Sequence, residues 1–209
     1  MQKIIKICGI TTPESALETS MEGAHFIGLV FHPESPRFLS LAQAREITSA
    51  LLNTTAHPVA VFTEHSAHEM QYLCEEFQIE IVQLHGERSR KEHIFLPSHI
   101  QRIYVLPVSE YRHSKHENAI ALCDPVRDYL LIDHPHPGKG NSFDWNTFRY
   151  DHSFPWLLAG GLTPDNVGKA LQQLQPDGVD VASGVESAPG IKESMLIKKF
   201  IQQVKQHKT

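Results

Sequence analysis

Eight short apolar runs recur along the 209-residue chain, and no hairpin turn such as Asn-Gly joins any two of them. They are Ile4–Cys8, Phe26–Phe31, Val59–Phe62, Ile79–Leu84, Ile103–Leu106, Tyr129–Ile132, Trp156–Ala159 and Val179–Ala182. Their near-continuous apolar character suits parallel strands covered on both faces. Helical patterns fill most of the intervals. Ser40 caps a run that puts Leu41, Ala44, Ile47 and Leu51 on one face. Ser66 caps Ala67–Phe77, with Met70, Leu73 and Phe77 inward. Thr163 and Pro164 open a helix that runs to Leu174, and Ile191–Val204 reads as the last one. Arg88–Phe95 and Asn118–Cys123 are weaker helical segments, and Phe143-Asp144-Trp145 opens another short one. Eight strand–helix units with no break in composition predict an α/β fold, one (β/α)8 barrel domain over residues 1–209. An open doubly wound sheet is the alternative, weakened because no GxGxxG follows the first strand.

Composition narrows the function. A net charge of −5 with no Lys/Arg run gives no basic surface for nucleic acid. No apolar run approaches the ~20 residues of a membrane span, and the N-terminus opens as a strand rather than a signal peptide. Cys8, Cys74 and Cys123 are too far apart for a CxxC pair, which argues for a reducing compartment. A cytoplasmic protein is expected. The 14 histidines include the groups His65–His68, His113–His116 and His134–His136, none at metal-ligand spacing with a carboxylate or thiol, so no metal is expected.

In a parallel barrel every strand's C-terminal end faces one mouth. Those ends place Cys8, Arg37 in the loop after strand two, His85, Asp133, Gly160-Gly161 and Ser183-Gly184 around it. The last two are glycine-bearing turns after strands seven and eight. Missing side chains let backbone N–H groups approach a phosphate there. Cys8 and Asp133 form a candidate proton-transfer pair: a thiol as base, a partly desolvated carboxyl as acid. Taken singly, each also fits a plainer role, a core cysteine and a turn aspartate. His85 fits a packed residue lining the mouth that also touches substrate. Lys6 shares a strand face with Cys8, and Asp180 on the neighbouring last strand is its natural partner, so a mainly structural ion pair is expected.

Six motifs in order make the pattern specific. They are Lys6-Ile-Cys8-Gly-Ile-Thr11; Gly28 through Phe31 to Ser35-Pro-Arg37; Val82-Gln-Leu-His85-Gly86; Asp133 with Gly138-Lys-Gly140 and Phe143-Asp-Trp145; Leu158-Ala-Gly-Gly161-Leu-Thr-Pro-Asp-Asn166; and Val179-Asp-Val-Ala-Ser-Gly184-Val-Glu186. From about residue 3 to about 204 the chain resembles phosphoribosylanthranilate isomerase of tryptophan biosynthesis. That resemblance implies a cofactor-free Amadori rearrangement of N-(5-phosphoribosyl)anthranilate to 1-(2-carboxyphenylamino)-1-deoxyribulose 5-phosphate. It implies Asp133 as general acid, Cys8 as general base, Arg37 at the anthranilate end, the turns at Gly160, Gly161, Ser183 and Gly184 on the phosphate, and a monomer with only a small phosphosugar partner. Lys139, between two glycines, departs from the small residue usual in that family and is expected to alter loop closure or touch substrate. Three alternatives are weighed. Indole-glycerol-phosphate synthase would need a catalytic Lys at strand ends, and a pentose-phosphate epimerase would need metal-binding His and Asp there; neither is found. A non-catalytic phosphosugar-binding barrel should lack the acid or the base, yet both are present.

Overall fold

The computed structural model describes residues 2–111, 120, 121, 123–134 and 143–207. Eight strands follow in order: β1 (Ile4–Cys8), β2 (Phe26–Val30), β3 (His57–Phe62), β4 (Ile81–Leu84), β5 (Gln101–Pro107), β6 (Tyr129–Asp133), β7 (Trp156–Leu158) and β8 (Gly178–Val181). They pair in parallel, each with the next, and β8 pairs back onto β1 to close a barrel. The closing register sets Lys6 opposite Asp180. An open doubly wound sheet is thereby excluded.

Six α-helices are described: α1 (Pro13–Glu22), α2 (Leu41–Leu51), α3 (Ala67–Phe77), α4 (Glu87–Glu92), α5 (Val167–Leu174) and α6 (Ser194–Gln206). Local chemistry sets their ends. Thr12 accepts from Ser15 N at 3.2 Å, with Pro13 following, and Gly23 ends α1 in the left-handed region at φ 99°. Ser40 with Gln43, and Ser66 with Glu69, form reciprocal capping boxes on α2 and α3. Phe31 and Phe62 stack at 5.5 Å, and Phe31 and Phe77 at 5.9 Å, which seats α3 on the sheet. The weak segment at Arg88–Phe95 is α4 followed by a 3-10 turn at His93–Phe95.

Three sequence expectations need correction. The helix expected from Thr163 starts at Val167: the side chain of Asn166, not Thr163, ties the turn, accepting from Thr163 N at 2.8 Å. The last helix starts at Ser194 rather than Ile191. Ile191–Lys192 is instead a short strand, β10, antiparallel to β9 (Glu186–Ala188). Gly190 makes this hairpin possible, at φ 82° and with a Cβ position only 2.5 Å from Pro36 O. Phe143-Asp144-Trp145 opens a turn, not a helix, because Asp144 Oδ1 accepts from Asn146 N at 2.9 Å. Of the segment Asn118–Cys123, residues 118, 119 and 122 lie outside the described ones.

The barrel carries two cores. Side chains on the outer strand faces, such as Ile5, Ile7, Ile27 and Leu29, meet the helices. Phe26, Val59, Ile81, Ile103, Val105, Leu131, Leu157 and Ala159 form a second, separate cluster that fills the barrel interior. Toward the C-terminal ends the inward positions turn polar: Lys6, Gln83, Asp133 and Asp180, all buried, with Cys8 packed against Val30 and Val61. An apolar floor under a ring of buried polar groups is what positions the site.

Candidate active site

Cys8 ends β1, opposite Gly28 of β2. A Cβ at Gly28 would stand 2.6 Å from the Cys8 sulfur, so that glycine is the space in which the thiol sits. Burial pushes the thiol's pKa up, and the charges of Lys6 and Lys192 oppose that. Lys6 Nζ lies 2.9 Å from Asp180 Oδ1, with the lysine side chain 0 % exposed. The expected pair therefore exists, and it reaches further than a structural clamp, because its charges act on both Cys8 and Asp133.

Asp133 ends β6 and is buried. Its Oδ1 accepts from His134 N at 2.7 Å, and Oδ2 stands 3.8 Å from His85 Nε2. Burial raises its pKa to about 7; the His134 N–H and the Lys6 charge work the other way, and Asp180 adds to the rise. The carboxyl is thus partly protonated near neutrality. His85 is driven the opposite way, to about 4, by burial and by the charges of Lys6, Arg90 and His32. Its Nδ1 faces Gln83 Nε2 at 3.1 Å. With the amide oriented so that its NH2 faces the ring, Nδ1 accepts and the ring proton falls to Nε2. The contact is that of a neutral imidazole with a carboxyl, not an ion pair.

Arg37 comes from the loop after β2. Its stem lies against Gly9, where a Cβ would be 2.4 Å from Arg37 Cδ and where φ is 77°. The guanidinium is already engaged: Nε donates to Glu186 Oε1 and Nη2 to Oε2, both at 2.7 Å. Lys192 Nζ donates to the same Oε1 at 2.8 Å and to Ala182 O at 2.9 Å. Sequence reasoning missed Glu186 and Lys192 as site residues. The Pro189-Gly190 turn was the available signal, since it announces a hairpin that carries both side chains to Arg37.

The two glycine turns are fused. Gly160 and Gly161 adopt φ 89° and 64° after β7. A Cβ at Gly184, in the 3-10 turn Ser183–Val185 after β8, would fall 1.8 Å from Leu162 O. A Cβ at Gly160 would meet His134 N at 2.9 Å and Asp133 Oδ1 at 3.1 Å, so the first turn also abuts the Asp133 carboxyl. The residues picked from the sequence are therefore linked through contacts: Gly160 to Asp133, Asp133 to His85, and Arg37 to Gly9 beside Cys8. Lys139, with Gly138 and Gly140, lies outside the described residues. Among the described residues no group of three or more His, Cys, Asp or Glu is arranged to hold a metal ion, and no described helix is long and apolar enough to cross a membrane.

Comparison with known proteins agrees on one family. The sequence profile described as N-(5'phosphoribosyl)anthranilate (PRA) isomerase matches residues 5–203. The chain is 39% identical to the N-(5'-phosphoribosyl)anthranilate isomerase of Neisseria gonorrhoeae, over 96% of each chain. Its fold is similar to the crystal structure of phosphoribosyl anthranilate isomerase from Thermotoga maritima, with TM-score 0.86, 34% identity, and 99% and 100% of the two chains covered. It is also similar, at TM-score 0.80 and 33% identity over 99% and 100%, to a phosphoribosyl anthranilate isomerase in complex with reduced 1-(o-carboxyphenylamino)-1-deoxyribulose 5-phosphate.

Proposed function

The chain belongs to the phosphoribosylanthranilate isomerase family and is an isomerase of tryptophan biosynthesis; from that premise we propose that Asp133 and Cys8 are the acid and base of its reaction. The substrate is N-(5-phosphoribosyl)anthranilate. Asp133 protonates the ribose ring oxygen as the C1–O bond breaks, and the anthranilate nitrogen's lone pair forms the Schiff base. Cys8, as thiolate, removes the proton from C2. The C2–H electrons flow into the iminium to give an enolamine, which tautomerises to 1-(2-carboxyphenylamino)-1-deoxyribulose 5-phosphate. Every atom of the substrate stays in the product, and no step calls for a cofactor.

The observation that carries this reading is a carboxyl buried at a strand end beside Gly160, where burial raises the Asp133 pKa to about 7. An ordinary carboxylate would have no proton to give near neutrality. Support for the remaining roles is geometric. His85, whose Nε2 stands 3.8 Å from Asp133 Oδ2, lines the same mouth and touches substrate there. The turns at Gly160-Gly161 and Ser183-Gly184 touch where Gly184 meets Leu162 O, and their backbone N–H groups serve as the phosphate cradle. Arg37 meets the anthranilate carboxylate with the edge of its fork that Glu186 leaves open. All these groups come from one chain, so a monomer is a sufficient working form.

The test is the decay of anthranilate fluorescence on freshly made phosphoribosylanthranilate. Wild type should convert it to the ketose product, and Cys8→Ala and Asp133→Asn should each lose at least about a hundredfold in kcat, the usual contribution of a positioned acid or base. Turnover that survives Cys8→Ala would require another base. A folded wild type without turnover would overturn the reaction itself.

A further inference from the structure

Three charged side chains, Arg37, Glu186 and Lys192, meet beside Cys8. Arg37 and Glu186 form a two-point fork at 2.7 Å for each bond, and Lys192 sits on the same carboxylate at 2.8 Å. The side chains are nearly dry: Arg37 is 11 % exposed, Glu186 4 % and Lys192 1 %. The last two arrive on β9 and β10, whose turn is pinned to the barrel by Thr11 Oγ1 donating to Gly190 O at 2.9 Å. Nη1 of Arg37 has no partner among the described residues.

A buried Arg–Glu fork is neutral as a unit. An anionic ligand approaching its open edge would meet the guanidinium and, just behind it, the Glu186 carboxylate. Attraction and repulsion would largely cancel in so dry a place. Lys192 changes that balance. Two cations around one carboxylate leave the cluster with one net positive charge, held in a fixed geometry before any ligand arrives.

We propose that Lys192, held by Glu186 and Ala182 O, is a specificity-determining residue that gives the Arg37 fork the net charge to select an aryl group bearing a single carboxylate. The inference rests on the reading that Arg37 meets the anthranilate carboxylate. Glu186 has a positioning role: it fixes which edge of Arg37 is spent and which is open. Lys192 acts through that pair and not on the reacting carbon atoms. Burial, with the Arg37 charge, brings the Lys192 pKa below its ordinary value, and Glu186 and Cys8 work the other way.

The test is calorimetric binding of two unreactive ligands: reduced 1-(o-carboxyphenylamino)-1-deoxyribulose 5-phosphate, and the same molecule with hydrogen in place of the carboxylate. Lys192→Met should weaken the carboxylate ligand about tenfold or more and shift the other less than about twofold. Lys192→Gln should do the same, while keeping a donor for Ala182 O. Lys192→Arg should restore most of the loss. Equal weakening of both ligands, or no weakening, overturns the proposal, because a merely structural lysine cannot tell the two apart. Arg37→Met separates the premise from the inference. If the preference for the carboxylate survives Arg37→Met, the role of Arg37 itself is wrong. If Arg37→Met abolishes it and the neutral Lys192 variants keep it, Arg37 stands and the proposal for Lys192 falls.

Discussion

The competent form of the proposed pair has Asp133 protonated and Cys8 ionised. The acid titrates at about 7 and the base above its ordinary value of 9.0. With the acid's pKa below the base's, the competent form is a minority species. Its population is level between the two apparent values and falls outside them. kcat/KM should therefore rise with pH up to about 7, level off, and fall only above the ordinary thiol range; a profile already flat from about pH 5 to pH 8 would contradict this assignment. Stability gives an independent check. Asp133's folded pKa lies above the unfolded 3.8, so the folded state holds a proton that the unfolded state has lost between about 3.8 and 7. Stability from this group falls as pH rises through that window, and the burial penalty is complete above it. Asp133→Asn removes the penalty and keeps an acceptor for His134 N. It should stabilise the protein by about 2 kcal/mol at about pH 8 and by much less near pH 4.5, read from denaturant melts. Such a gain in a variant that has lost turnover would mark the carboxyl as kept for chemistry at a cost in stability.

At the level of elements, the glycines divide by what a methyl group would strike. A Cβ at Gly184 falls 1.8 Å from Leu162 O, so Gly184→Ala must prise apart the two turns after β7 and β8. KM for the phosphosugar should rise by at least about tenfold as the cradle of N–H groups opens, measured by steady-state kinetics. Gly168, on α5, has Gln203 Oε1 at 4.0 Å as the nearest atom. Gly168→Ala should leave kinetics unchanged and add about 0.4–1 kcal/mol of stability. The same contrast explains what was legible from sequence. Strands buried on both faces read as apolar runs, and Ser40 and Ser66 announced α2 and α3 because a cap is a local bond within three residues. The β9–β10 hairpin was not legible in that way. Ile191 is apolar and joins smoothly onto the helical period of α6, while the contacts that make it a strand, to Pro36, Thr11 and Arg37, come from the opposite end of the chain. The start of α5 was misplaced for a related reason: Thr163 and Pro164 look like a cap, yet the turn is tied by Asn166, three residues on. Glu186 and Lys192 were lost with the hairpin, so the sequence reading had Asp133, Cys8 and the Arg37 guanidinium but not the charged groups packed around that guanidinium.

For the molecule as a whole, the closing seam of the barrel is also the electrical centre of the site. β8 meets β1 with Asp180 opposite Lys6, and the pair lies 2.9 Å apart in a barrel interior that is otherwise apolar below this level. Two consequences can be separated. As a structural pair, either partner alone is a liability: Asp180→Leu leaves the fully buried Lys6 uncompensated, and should cost about 3–5 kcal/mol, whereas the double variant Lys6→Met/Asp180→Leu replaces two buried charges by apolar groups and should recover most of that loss. If the seam were only structural, the double variant would also recover turnover. It should not. Lys6 is the larger of the two charges that oppose burial at Cys8, Lys192 being the other, and Lys6 and Asp180 pull Asp133 in opposite directions. Deleting both leaves a more hydrocarbon-like mouth in which the thiol ionises less readily still. The double variant should therefore melt close to wild type and yet lose most of its kcat, with its thiol alkylated more slowly by iodoacetamide at every pH below the thiol's own titration. Recovery of both stability and kcat would reduce the pair to the clamp that its place in the sequence first suggested. A stable barrel with a silent thiol would mean that the bond closing the fold and the field that prepares the base are supplied by the same two side chains.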